Sequence, residues 1–205
     1  MSMMVSPYAF GSGASSPTAT WNPSDKHADI GLSSGDIVAS KTAGNALRSV
    51  RATLGRAHTD QGYFEVFIGA ASDAAPFRLI GVSTTSLSVD NFVGFDTNGW
   101  GYYQDTGEKY TNNVASAYGT SYTVGDQIGV AFKNGKVWFA KNNTWQNGGD
   151  PVAGTGEAFS GITGTIYPTV SLYNGTAPPN HTVSGVFHAA NLAYTPPSGF
   201  SAWDR

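Results

Sequence analysis

Gly31-Leu32-Ser33-Ser34-Gly35 matches the G-x-S-x-G spacing of a hydrolase nucleophile. That chemistry needs a strand before the serine and a helix after it, so that the hydroxyl stands exposed on a strained turn. The next residues, Asp36-Ile37-Val38-Ala39-Ser40, are strand-like, so the pentapeptide reads as a turn between two strands. A glycosidase would set two carboxylates across a cleft. The chain has three glutamates, Glu65, Glu108 and Glu157. Glu65 alternates with Tyr63 and Phe67 along one strand face, which predicts a structural ion pair with Arg48 or Arg51 across a sheet. Glu108 falls in a loop with Asp105 and Lys109. His27, His58, His181 and His188 lack the close spacing of metal ligands. Asp96 and Asn98 have the D-x-N spacing that opens a calcium loop, but its remaining positions and its bidentate glutamate are missing. No catalytic group, no metal site and no cofactor is expected.

The residues left over are aromatic rings beside short polar side chains. They fall in "NGWGYYQDTGEKYTNN" (98–113) and "KNNTWQNGG" (141–149). A ring offers flat contact area at low entropic cost and an amide offers hydrogen bonds, a combination suited to sugars and peptides. Six residues are therefore candidate ligand-binding positions: Trp145, Asn142, Asn143, Gln146, Tyr103 and Asp105. Trp100 and alternate tyrosines of the first segment are expected in the core.

The elements that must position these residues are strands. "GVAFKNGKVWFAK" (129–141) carries Asn134-Gly135 between two alternating apolar runs, the signal of a two-residue type I′ hairpin. Pairing outward from that turn sets Phe132 opposite Val137, Val130 opposite Phe139, Ala131 opposite Trp138 and Gly129 opposite Ala140. Both faces of this hairpin carry apolar groups, so loops or a terminal arm must cover the face turned away from the core. Other short runs rich in Val, Ile, Tyr, Phe and Thr are bounded by Gly, Asn, Asp or Pro, a cadence that predicts an all-β sandwich or barrel. Only "SVDNFVGF" (88–95) admits even one helical turn.

Composition narrows the function classes. Charged residues make up 12% of the 205-residue chain, and the surface must be built from Gly, Ser, Thr and Asn. A net charge of -3 and the lack of any Lys/Arg run exclude a nucleic-acid footprint. No run approaches a membrane-spanning length, so no membrane insertion is expected. With no cysteine, the redox compartment stays unread. Residues 1–20 lack a basic and an apolar signal region, so no secretory leader is expected there. They read as an N-terminal arm ahead of a domain over 21–205.

Several segments in order resemble a SPRY (B30.2-like) domain: "VRATLGRAHTDQGYFEVFIG", "RLIGVST", "GWGYYQDTGEKYTNN", "YTVGDQIGVAFKNGKVWFAKNN" and "GTIYPTVSLYNG". The resemblance covers about residues 45–203, and its most specific element is the Gly125-Asp126-x-Ile128-Gly129-Val130 strand with the hairpin and the Lys141-Asn142 turn. It implies a concanavalin-like bent antiparallel β-sandwich that binds a protein or peptide through loops at one end and is not an enzyme. The ending "LAYTPPSGFSAW" is similar to that of SPRY-like bacteriophage and prophage structural proteins. That likeness implies a virion component in tail fibre or baseplate, made in the host cytoplasm. It would be held to other virion proteins by the N-terminal arm and would recognise a host surface glycan or protein. A purely structural capsid-decoration or baseplate-cement role is the alternative, and a glycoside hydrolase is a distant third. Assembly as a homo-oligomer is a family-level implication.

Overall fold

A computed structural model of the protein describes residues 18–71, 77–173 and 181–204. The arm expected over 1–20 lies outside the described residues except for Thr18, Ala19 and Thr20. Ala19 is fully buried in the core, two residues before the expected start of the domain.

In chain order the first strands are β1 Trp21–Lys26, β2 Ile30–Ser33, β3 Val38–Lys41, β4 Arg48–Ala52 and β5 Arg56–Ala57. Next come β6 Gln61–Ile68, β7 Arg78–Ser83, β8 Gly99–Tyr103, β9 Lys109–Thr111 and β10 Val114–Ser116. The last are β11 Gln127–Lys133, β12 Lys136–Lys141, β13 Thr144–Trp145, β14 Thr165–Leu172 and β15 Thr182–Val186. They form two antiparallel sheets. One runs β1-β4-β14-β7-β8-β9-β10, with β5 added on β14; the other runs β13-β12-β11-β6-β15-β3-β2.

Alternation along each strand builds the core between the sheets. In β6, Phe64, Val66 and Ile68 point inward and are fully buried, and in β11 and β12 Val130, Phe132, Val137 and Phe139 do the same. Trp21, Tyr102, Phe187 and Trp203 fill the space between them. Each such side chain contributes roughly 1.5–3 kcal/mol by leaving water.

The hairpin register is the one expected: Phe132 pairs with Val137, Val130 with Phe139, Ala131 with Trp138 and Gly129 with Ala140. Asn134 and Gly135 both have positive φ, 48° and 69°, as a type I′ turn demands. The hairpin's second apolar face is covered by the C-terminal tail, whose Phe200 and Leu192 pack with Tyr63, Ala131 and Trp138. The tail is pinned by Glu65. This carboxylate accepts hydrogen bonds from the Ala193 and Tyr194 amides, the Gln127 amide group and the Tyr63 hydroxyl, at 2.8–3.0 Å. The expected pairing of Glu65 with Arg48 or Arg51 is therefore corrected: both arginines lie on β4, in the opposite sheet. Arg51 instead forks onto Asp25, with both contacts at 2.6 Å.

Gly31 to Ser33 lie in β2 and lead through a turn into β3, its antiparallel neighbour, so the serine motif is a strand-turn-strand connection. Residues 88–95 form turns and not a helical turn. Their surrounding segment lies over the middle of the β4-β14-β7-β8 outer face, fixed by outward hydroxyls. Ser49 donates to Asn91 O at 2.6 Å, and Ser171 Oγ accepts from Val93 N at 2.8 Å. Gly101 makes this approach feasible, because a Cβ there would sit 2.3 Å from Val93 O.

Candidate functional site

The antiparallel registers put the C-terminal ends of β3, β6, β8 and β14 and the N-terminal ends of β4, β7, β9 and β15 at one end of the sandwich. The turns at 34–37, 112–113 and 134–135 lie at the other. At the first end, part of the outer sheet face carries aromatic rings that stay partly exposed among the described residues.

Strand alternation sends Tyr103 of β8 and Tyr110 of β9 outward while Tyr102 points into the core. Tyr103 stacks on Phe77 at 6.0 Å, and Phe77 meets Tyr173 edge-on at 5.2 Å. In the other direction Tyr103 meets Tyr110 at 5.5 Å, Tyr110 meets Phe92 at 6.1 Å, and Phe92 meets Phe95 at 5.6 Å. Six rings thus form one unbroken ladder, each partly exposed, with Phe95 the most open at 41%. Buried Leu79, Leu87 and Val93 support it from beneath.

The ladder has an acidic border. Asp105 is exposed, and Glu108 and Asp96 are partly exposed. Burial, followed by the nearby Asp105, Tyr110 and Glu108, pushes the Tyr103 phenol well above its ordinary value. Burial and then Glu108 raise Tyr110 in the same direction. Both phenols therefore stay neutral donors through the physiological range. Beneath the turn that carries Asp105, buried Arg78 donates to Gln104 Oε1 at 3.0 Å and to Ala70 O, tying the β8–β9 and β6–β7 connections together.

The other four expected residues lie elsewhere. Segment 117–122 separates them from Tyr103 and Asp105: Gly119 N donates to Gly107 O on one side, and Thr120 N donates to Gln146 Oε1 on the other. A shallow groove of about 400 Å³ is lined by Thr120, Lys141, Asn142, Trp145 and Gln146 among others. Gln146, a candidate ligand contact by sequence, is buried and hydrogen-bonded within the chain. It is 7% exposed, accepts from Thr120 and donates to Thr144 O at 2.8 Å. Asn142 is exposed, and it accepts from Gln127 N at 2.9 Å and donates to Asp126 at 2.6 Å. Trp145 is half-buried, edge-on to Tyr63 at 6.3 Å. Asn143, like Asn142, is exposed, and both have positive φ, 65° and 47°.

The glutamates are committed one by one. Glu65 holds the tail, Glu157 pairs with Lys136 at 2.9 Å, and Glu108 accepts from Thr106 at 2.7 Å. Asp96 and Asn98 form a local turn in which Asp96 Oδ1 accepts from Asn98 N at 2.8 Å. Among the described residues no group of three or more His, Cys, Asp or Glu is placed to hold a metal.

A bent two-sheet sandwich with a loop end lined by rings defines a binding module. The SPRY domain family model matches residues 61–183, and the chain belongs to the SPRY family, whose domains are protein-interaction modules. The chain is 31% identical over 166 residues to Ran-binding protein 9 of Xenopus laevis, covering 76% of this chain and 28% of that protein. It is 29% identical over 167 residues to the dual specificity protein kinase splA of Dictyostelium discoideum, over 74% of this chain and 6% of that one. The chain thus spans about a quarter of the first relative's length and far less of the second's. Among solved structures, the SPRY domain of human HERC1 superposes with a TM-score of 0.65 at 18% identity, covering 81% of this chain and 96% of the other.

Proposed function

We infer that the chain is a non-enzymatic recognition module whose ring-lined loop end takes an extended segment of a partner protein. The observation that carries this reading is the partly exposed ladder itself. Among the described residues, 84–98 cover the middle of that sheet face, and six rings, Phe92 and Phe95 of that segment and four beside it, stay partly open. Rings held by neighbouring rings lose little entropy on contact with a partner. Selection of random peptides displayed against the immobilised protein tests the reading. Selected peptides are expected to lose binding to a Tyr103→Ala/Tyr110→Ala variant; peptides that bind the variant equally well contradict it.

Two settings compete for such a module. The tail likeness and the weakly charged surface support a virion component of a bacterial virus, docked by an arm over 1–20 and presenting loops to a host surface glycan or protein, or to neighbouring virion subunits. The tail has a structural use as well, since Phe200, Ala202 and Trp203 are buried against the sandwich. The eukaryotic relatives support a recognition module of a larger protein. Mass spectrometry of purified particles separates the two: stoichiometric presence of the chain favours the virion, and its absence removes that setting.

A further inference from the structure

We propose that the ring ladder seats an extended arginine- or lysine-bearing segment of a partner protein, with a cation laid on the exposed side of the Tyr103–Tyr110 pair and paired to Asp105 and Glu108. This rests on the recognition reading above and adds the chemistry of the occupant. Three observations carry it.

The first is spacing. Successive ring centroids lie 5.2–6.1 Å apart along the whole ladder. Alternate residues of an extended chain are about 6.6 Å apart, so every second side chain of such a segment can meet a ring.

The second is charge. Asp105, Glu108 and Asp96 border the rings, and Asp105 is exposed. Glu108 uses Oε2 to accept from Thr106, and its other oxygen has no hydrogen-bond partner among the described residues. A ring face carries negative potential, and carboxylates at its border deepen the attraction for a cation.

The third is what the chain does with its own cations. Arg56 lies over Trp203, Lys109 over Tyr118 and Phe159, and Lys133 over Phe200. Among the described residues no lysine or arginine lies over a ring of the ladder. The exposed parts of its rings can take a cation from outside.

The test is calorimetric titration of the full chain with the synthetic peptides (Gly-Arg)6, (Gly-Gln)6 and (Gly-Glu)6, with amide chemical shifts locating the contact. The expected result is binding of (Gly-Arg)6 that shifts Tyr103, Tyr110 and Phe95. Affinity should fall about five- to tenfold in Asp105→Asn/Glu108→Gln, and by a similar factor in Tyr110→Ala. The charge variant leaves every ring in place, so its loss cannot come from a disturbed ladder. Equal affinity for the three peptides, preference for (Gly-Glu)6, unmoved ladder amides or an unaffected charge variant overturns the proposal. If display selection yields cation-free peptides that need Tyr103 and Tyr110, this inference fails while the recognition reading stands. If no selected peptide depends on those rings, both fail.

Discussion

Glu65 is buried on the outer face of a sheet, where a carboxylate survives only if its oxygens are satisfied. Four donors do so, and two of them belong to the tail. Replacing it by alanine leaves those donors without an acceptor, and urea unfolding should show a loss of about 3 kcal/mol, with Glu65→Gln losing less. An unchanged unfolding midpoint would contradict this account of the tail. Acid should act through Asp29, Glu157 and Asp126. The Lys41 hydrogen bond holds Asp29 below its ordinary value, and the Lys136 hydrogen bond does the same for Glu157. For Asp126, burial pulls upward, but the Thr123 amide, Asn142 and Lys141 outweigh it and hold the group low. A carboxylate held low binds fewer protons folded than unfolded. Its contribution is present above the ordinary aspartate value of 3.8 and is lost as pH falls below it. Melting temperature should therefore be level down to about pH 5 and drop steeply below about pH 4. At this scale the sequence does not reveal the internal hydrogen bonds of Gln146 and Asn142, because an amide looks the same whether it will bond a ligand or a neighbouring backbone. It misleads at Glu65 because a buried carboxylate suggests a cation as partner, while this one is satisfied by neutral donors, two of them 62 and 128 residues away.

The hairpin of β11 and β12 is legible in full, since a two-residue turn fixes the register and the register fixes the faces. Gly135 is the position where this can be broken most cleanly. Its φ is +69°, and a Cβ there would lie 2.5 Å from Ile162 O. Gly135→Val should cost about 2–3 kcal/mol in chemical denaturation, through left-handed strain and the clash together. The two-faced pattern also foretells that something covers the hairpin, but not that the C-terminal tail does so. The tail resembles loop sequence, and its anchoring depends on Trp203, which reaches the core to meet Phe64 at 5.6 Å and Phe132 at 6.3 Å. Trp203→Ala should cost about 3–5 kcal/mol and expose the Tyr63–Trp138 face, readable as dye binding by the destabilised protein. Full stability without that ring would contradict the tail's structural role.

At the scale of the molecule, strand cadence suffices for the all-β sandwich, and the resemblance for the family. The ladder is only half legible. Tyr103 and Asp105 stand out beside other polar and aromatic residues, but Phe77, Phe92, Phe95 and Tyr173 come from three other connections. Sheet order alone brings them together: β14 beside β7, then β8 and β9. Trp145 stands out by composition, yet the 117–122 segment sets it apart from Tyr103. The central claim is that this ladder is where a partner protein is held. A crystal structure of the chain with a display-selected peptide tests it most directly. The account predicts an extended peptide lying along the rings from Tyr173 to Phe95. A peptide seated in the Trp145 groove, or at the opposite end beside the 134–135 turn, would contradict it.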